Sequence, residues 1–253
     1  MSERQRANPE QRASSSQRAP LTVTEVRRTG PLVDAVYTDI LQPSFPPAEL
    51  VSLAALRDAI TARRATLTVA LDATGEPWGA AVGEWYESAR VMLLGYLAAR
   101  PGSRGHGVGG RLLEQAIRTW SERYRPCVVL AEVERPDRHR ASLAHGDPTG
   151  RLRFYQRYGA SALDLPYFQP ALRADEDREY GMLLIALHVE QQYRREERAI
   201  DAEPVRRFWL DHLGATEGAP ADSAARRMAA ALAAEQVAVR PLDQYRNIAV
   251  AAG

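Results

Sequence analysis

Lysine is absent from this chain. All 33 basic residues are arginines, and together with 32 acidic residues they give a formal net charge of +1 at pH 7. A balance this close to neutral provides no overall field that would attract nucleic acid or an anionic membrane surface. We therefore expect no nucleic-acid partner, and we expect any charged ligand to be selected by a local site.

Cysteine is nearly absent as well, since Cys127 is the one cysteine in 253 residues. A single thiol excludes an internal disulfide and a zinc site built from several thiolates. Cys127 begins the apolar run 127–131, so we expect a small buried hydrophobic residue and not a reactive thiol. This cysteine usage is typical of a cytoplasmic protein.

Long apolar runs are also missing, because nowhere do 18 apolar residues follow one another. The sequence therefore predicts no membrane-spanning helix and no membrane partner. Residues 1–20 are rich in Arg, Gln, Ser and Pro and lack the apolar segment of a secretory signal. We expect a disordered tail there and a cytoplasmic location.

The most informative segment that is present joins an apolar run, 93–99, through a glycine-rich turn to a helical pattern from residue 108. A strand, a turn and a helix N-terminus arranged in this way point backbone N–H groups and the positive end of the helix dipole at one place. Glycine lets a phosphate approach that backbone closely. The segment therefore predicts a binding site for a molecule that carries a pyrophosphate.

Two interpretations of this turn are open from spacing alone. Gly105, Gly107 and Gly110 satisfy the dinucleotide pattern G-x-G-x-x-G, and Glu132 or Glu134 follows about 20 residues on, where an acid would hold a ribose hydroxyl. A dinucleotide unit usually opens its domain, however, and here several strand and helix patterns precede the turn. Chain order therefore favours the second interpretation.

That second interpretation rests on the run Pro101-x-x-Arg104-x-x-Gly107-x-Gly109. It resembles motif A of the GNAT superfamily of acyl-CoA N-acyltransferases, Arg/Gln-x-x-Gly-x-Gly/Ala, including the upstream proline frequent in that family. The resemblance implies that acetyl-CoA, or another acyl-CoA, binds at this turn as acyl donor.

The order of elements agrees with that resemblance. Periodicity predicts a strand, two helices, three strands, a helix, a strand, a helix and a strand between residues 21 and 188. The implied fold is α/β, the GNAT fold: a mixed, mostly antiparallel sheet splayed at a central parallel strand pair, with helices on both faces. Residues 189–253 are expected to form a helical extension, in which Phe208 and Trp209 need a burial site. The extension is expected to cover the core, cover the acceptor cleft or form a homodimer.

The resemblance also implies which residues bind the donor. The backbone of the turn would hold the pyrophosphate, and the exposed strand edge beside it would pair with pantetheine. The expected donor-binding residues are Leu97, Ala98, Ala99, Arg104, Gly105, His106, Gly107, Val108, Gly109 and Gly110.

Acyl transfer to an amine needs a base for the amine and an acid for the leaving thiolate. Tyr155 stands four residues before Gly159, as the tyrosine that faces the CoA sulfur does in this family, and is the expected acid. Glu132 is the first expectation for the base and Glu84 the second. The alternatives are a tyrosine that merely packs in the core and glutamates that are solvated or paired with arginine.

The acceptor site is expected to contain aromatic residues near the catalytic ones, namely Tyr37, Phe45, Tyr86, Tyr167 and Phe168. The implied function is transfer of an acetyl or other short acyl group to a primary amine of a small molecule. Modification of a protein is the enzymatic alternative, and a non-catalytic acyl-CoA sensor is the alternative outside enzymes. His139, His145 and Asp147 share a loop, but the pattern is too sparse to predict a metal site.

Overall fold

The computed structural model describes residues 21–102, 107–141, 146–173, 177–196 and 198–251. Ten strands form one sheet with the order β1-β2-β3-β4-β5-β7-β6-β10-β9-β8. The strands are β1 Thr22–Val26, β2 Ala65–Leu71, β3 Pro77–Tyr86, β4 Val91–Ala99, β5 Val128–Glu134, β6 Ser161–Leu163, β7 Met182–Val189, β8 Arg194–Arg195, β9 Ala199–Asp201 and β10 Gln236–Pro241.

Six α-helices accompany these strands in the described ranges. They are α1 Pro31–Val36, α2 Leu53–Thr61, α3 Val108–Arg123, α4 Pro148–Arg157, α5 Ala202–Gly214 and α6 Ser223–Ala231. A π-helical turn, Tyr37–Leu41, continues α1, and short 3-10 turns cover Pro47–Glu49, Gln191–Tyr193 and Leu242–Asn247. Within this described part, no helix is long and apolar enough to cross a membrane.

The centre of the sheet is the parallel pair β4 and β5, and the other strand pairs described are antiparallel. Pairing between β4 and β5 runs from Val91 opposite Val128 to Leu94 opposite Ala131 and ends there. Both strands continue past that point, β4 to Ala99 and β5 to Glu134. The predicted mixed α/β sheet, splayed at a central parallel pair, is therefore confirmed.

A β-bulge in β4 lies at the point where the strands part. Val82 of β3 pairs with Tyr96, whereas the next residue, Gly83, pairs with Leu94, so Gly95 has no partner on β3. An extra residue in one strand bends it and increases its twist. The bulge thus turns the second half of β4 away from β5.

Alternation along the strands determines which side chains share a face. On β5, Val129, Ala131 and Val133 pack with α3 and α4, so Glu132 points to the opposite face. On β3, a Cβ atom at Gly83 would lie 2.6 Å from the ring of Trp120 in α3, so Glu84 also points away from α3. The two expected bases therefore occupy the same face of the sheet.

The C-terminal extension packs on that second face. Val205, Phe208, Trp209 and Leu213 form the apolar stripe of α5 and are fully buried against β4, β5 and β7. The extension contains the expected helices, and Asp222 caps α6 by accepting from the N–H groups of Ala224 and Ala225. It also contributes strands β8, β9 and β10, which the sequence analysis did not predict, because they are only two to six residues long.

Candidate active site

A cleft of about 380 Å³ opens where β4 and β5 separate, and we call it the splay cleft. Its β4 wall consists of Leu97, Ala98 and Ala99, and α4 supplies Phe154 and Tyr155 on the other side. Gly109, in the first turn of α3, lines a smaller space of about 200 Å³ along the same residues. The cleft thus joins the unpaired edge of β4 to the N-terminus of α3.

The start of α3 suits an anionic group. Gly107 precedes the helix with φ +75°, a left-handed conformation that favours glycine, and it provides no side-chain cap. Gly107 thus places no side-chain acceptor on the first N–H groups of the helix, and these N–H groups and the helix dipole attract phosphate. Val108 is buried in the core, so its backbone alone is available there. Arg104, Gly105 and His106 lie outside the described residues, as do residues 1–20 and His145.

Gly110 has a packing role. A Cβ atom at this position would lie 1.8 Å from the hydroxyl of Tyr158, whereas one at Gly109 would make an ordinary 3.6 Å contact with Phe154. Gly110 therefore lets α4 approach α3. Because α4 also carries Tyr155, this close approach places the tyrosine at the splay cleft.

Tyr155 lies on the buried face of α4 and is 7% exposed. Asp147 starts the helix by accepting from the N–H of Thr149, and Pro148 occupies the first helical position. Burial raises the pKa of the Tyr155 phenol to about 12. The phenol therefore keeps its proton at neutral pH and is able to donate it.

A second cavity of about 390 Å³ adjoins the splay cleft on the face that carries the glutamates. Both spaces are lined by Phe45, Gly95, Glu132 and Arg151, so they meet at the bulge. We call this second cavity the acidic cavity, because five carboxylates line it alongside two arginines and two histidines. These lining residues are Glu49, Glu84, Glu132, Glu134, Glu179, Arg140, Arg151, His139 and His212.

Glu132 is held by several hydrogen-bond donors. The hydroxyl of Tyr167 donates to Oε1, and Nε2 of Gln169 donates to Oε2 over 2.9 Å. Nε2 of His212 lies 3.4 Å from Oε1, close enough for an ion pair. Both oxygens are thus occupied by the protein, and the side chain is only 8% exposed.

Glu84 lies near Glu132 and has fewer hydrogen-bond donors around its carboxylate. Burial raises the pKa of its carboxyl, the negative charge of Glu132 raises it further, and His212 and Tyr86 act in the opposite direction. A carboxylate with a raised pKa is a stronger base than one in water. The surroundings of Glu84 therefore make its carboxylate more basic.

The aromatic residues expected at the acceptor site are found in different places. Phe45 lines both cavities, and the hydroxyls of Tyr86 and Tyr167 contact His212 and Glu132. Tyr37 donates to the carbonyl of Val51 over 3.0 Å. Phe168 is fully buried, with its ring 6.3 Å from that of Trp209. Of the five expected residues, Phe45 alone is among those that line the acidic cavity; Tyr86 and Tyr167 lie behind its lining residues, and Tyr37 and Phe168 contact other parts of the fold.

His212 and Gln169 are the site residues that sequence reasoning missed. His212 belongs to α5 and follows Val205 by seven residues, so it continues the apolar stripe of that helix. A histidine within an apolar stripe was the available signal. Its partner across the fold, 80 positions away in sequence, is not visible in any local pattern.

Three of the remaining charged residues of the cavity, Arg151, Glu134 and His139, contact one another. Arg151 donates to Glu134 over 3.0 Å, and Nδ1 of His139 lies 3.7 Å from the same carboxylate. Asp147, which the sequence placed in a sparse metal pattern with His139, caps α4 instead. Among the residues that the structure describes, no group of His, Cys, Asp and Glu is arranged to hold a metal ion.

Solved structures with a similar arrangement were found. An acetyltransferase of the GNAT family from Bacteroides thetaiotaomicron is 24% identical, and the match covers 59% of this chain and 76% of that one with a TM-score of 0.45. The ribosomal-protein-S18-alanine N-acetyltransferase from Escherichia coli is 18% identical over 70% and 98% of the two chains, TM-score 0.47. A GNAT family acetyltransferase from Elizabethkingia anophelis with acetyl-CoA bound is 15% identical over 66% and 95%, TM-score 0.42.

A search of curated protein sequences found no significant match. Residues 35–160, which contain the glycine-rich turn, the splayed strands and α4, match the model of the acetyltransferase (GNAT) family. The dinucleotide interpretation of the turn is therefore wrong. This chain belongs to the GNAT acetyltransferase family and is an N-acetyltransferase that takes its acetyl group from acetyl-CoA.

Proposed function

We propose that this enzyme acetylates a primary amine of a small cationic molecule, which binds in the acidic cavity. The observation that carries the proposal is the position of this cavity, which adjoins the splay cleft at Gly95 and Glu132. Its volume of about 390 Å³ lies within the usual range for small-molecule sites. A donor in the cleft and an acceptor in the cavity would meet at the bulge of β4.

The charge of the cavity supports a cationic acceptor. Five carboxylates, two arginines and two histidines line it, so the formal charge of its walls is negative whether the histidines are neutral or protonated. Low-dielectric walls of one sign concentrate ligands of the opposite sign. An ammonium ion would therefore be drawn to the same cavity that contains the base able to deprotonate it.

We assign the two glutamates different roles. Glu84 accepts the proton of the bound ammonium, because its raised pKa brings it closer to the operating pH. Glu132, with both oxygens hydrogen-bonded, fixes the position of the cavity wall. This order differs from the sequence-based expectation, which placed Glu132 first.

Acetyl-CoA, when bound, supplies an activated acetyl group and a thiolate as leaving group. Leu97, Ala98 and Ala99 would hold its pantetheine arm, and the first turn of α3 would hold its pyrophosphate. Tyr155 would donate its phenolic proton to the leaving sulfur, since its raised pKa keeps it protonated until that moment. The Glu84 carboxylate in the acidic cavity and the Tyr155 phenol in the splay cleft thus take the base and acid roles.

A screen of acceptors tests this proposal. Thiol release from acetyl-CoA is measured with small monoamines, diamines and larger polycationic amines, and in parallel with short peptides that have free N-termini. We expect turnover with di- or polycationic small molecules at kcat/KM values at least about tenfold above those for peptides. Preference for peptides would show a protein acceptor, and acetyl-CoA binding without turnover on any amine would show a sensor.

A further inference from the structure

His212 reaches the active site from outside the region that matches the GNAT family. It lies on α5, in the C-terminal extension, whereas the family match ends at residue 160. Its ring stacks on that of Phe208 at 5.3 Å with an interplanar angle of 17°. The side chain is 11% exposed and lines the acidic cavity. The extension thus fixes one imidazole at the wall that carries both glutamates.

The two ring nitrogens of His212 face different partners. Nδ1 lies 2.7 Å from the hydroxyl of Tyr86, and Nε2 lies 3.4 Å from Oε1 of Glu132. Nε2 is buried and makes no aligned hydrogen bond within the described part of the chain, so its contact with Glu132 is an ion pair. Tyr86 also interacts with Glu84. The Tyr86 hydroxyl stabilises the ionised carboxylate of Glu84 and so acts to lower its pKa.

The charged and titratable groups around the ring are mostly acids and phenols. Strand β3 brings Glu84 and Tyr86, β5 brings Glu132, and the segment before β7 brings Tyr167; Asp211 precedes His212, and Glu217 follows α5. Burial alone would lower the pKa of the His212 imidazole. The adjacent carboxylates outweigh burial, and the pKa lies above its ordinary value.

We infer that His212 is a positioning residue for the acetyl transfer: as an imidazolium it pairs with Glu132 and donates to the oxygen of Tyr86. The hydroxyl proton of Tyr86 is then directed to Glu84. Without this cation, two carboxylates would share one buried wall and would retain a proton between them. His212 therefore keeps Glu84 ionised, and the inference rests on the proposed role of Glu84 as base.

The first test is the pH dependence of kcat/KM for H212Q, with H188Q as the matched control. His188 lies on β7, 30% exposed, and is not among the residues that line the acidic cavity. We expect the ascending limb of the profile to shift alkaline by about one unit in H212Q, because Glu84 loses a neighbouring cation. H188Q should keep the wild-type profile. A lower kcat in H212Q with an unshifted profile would show a merely structural histidine and overturn the inference.

Y86F and a spectroscopic titration complete the test. Y86F removes the hydroxyl between His212 and Glu84, so we expect it to reproduce the alkaline shift of H212Q. NMR titration of the histidine ring nitrogens should give His212 a pKa above that of exposed histidines, and E132Q should lower it. This titration needs no turnover, so it separates failure of the proposed function from failure of the inference. An unchanged His212 pKa in E132Q would overturn the ion pair.

Discussion

Gly95 and Glu84 lie side by side on adjacent strands, and a Cβ atom at residue 95 would stand 3.0 Å from Oε1 of the glutamate. Gly95 is the unpaired residue of the β4 bulge. The bulge therefore does two things at one position, since it opens the splay cleft and leaves room for the proposed base. The absence of a side chain at residue 95 keeps the two cavities joined.

We expect G95A to lower kcat by about tenfold or more while the protein stays folded. The added methyl group would push the flexible end of Glu84 and not backbone, so the structural cost is small, but the carboxylate of the proposed base is displaced from its position. Steady-state kinetics with acetyl-CoA and the best amine acceptor measure the effect. Thermal unfolding on the same samples checks the fold.

G214A serves as its control, because a Cβ atom at Gly214 meets nothing within 4 Å and the residue ends α5. Alanine is favoured over glycine in a helix, so this variant should be unaltered in activity and at least as stable. Full activity in G95A would show that Glu84 does not need its present position.

We expect Y155F to lower kcat by about 100-fold or more while acetyl-CoA affinity stays unchanged. The phenyl ring still fills the wall of the splay cleft, but no proton is available for the leaving sulfur. Calorimetric titration with acetyl-CoA gives the affinity, and thiol release gives kcat. Y158F, at the C-terminal cap of the same helix, should lose far less activity, and equal losses in both variants would argue against an acid role for Tyr155.

Gly110 is expected to matter for packing between α3 and α4. G110A places a methyl group against the Tyr158 hydroxyl, so we expect a loss of about 1–3 kcal/mol in the free energy of unfolding. Urea denaturation measures this loss. The double variant G110A/Y158A removes the clash, and the two substitutions should therefore be less than additive. Additive losses would contradict the assigned contact.

The buried charge of Glu84 should reduce stability at alkaline pH. Because its pKa is raised in the folded state, the folded protein binds this proton more tightly than the unfolded chain does. That stability is fully present below the ordinary glutamate pKa and is lost as the pH rises through the raised value. We expect E84Q to melt at a higher temperature than wild type at pH 8, and the difference to narrow at pH 5. A constant difference across this range would contradict a raised pKa.

Local patterns were sufficient to predict most of the fold. The continuous apolar run 127–131 predicts the buried strand β5, and the face of α3 from Val108 to Trp120 follows a helical period, so both elements follow from the sequence. Strands β8 and β9 have only two or three residues and carry no pattern long enough to recognise. β8 pairs with β9, and β9 pairs with β10, which comes more than 30 residues later.

The candidate site also has one part that the sequence predicts and one part that it does not. The donor-binding residues that we propose lie on a continuous segment, 97–110, so motif reasoning could name them from the sequence. The acceptor side is assembled from distant segments, so neither His212 nor the hydrogen bond from Gln169 to Glu132 was predictable. The ranking of Glu132 above Glu84 followed family resemblance alone. Only the structure shows which carboxylate has its oxygens occupied by hydrogen-bond donors.

The most direct test of the account is catalysis by E84Q, measured as kcat/KM for the best small amine together with acetyl-CoA affinity on the same preparation. Glutamine preserves the shape of the side chain but does not accept the ammonium proton. The account predicts a loss of about 100-fold or more in kcat/KM at neutral pH, with acetyl-CoA affinity within a factor of about two of wild type. Wild-type turnover in E84Q would contradict the placement of the base in the acidic cavity.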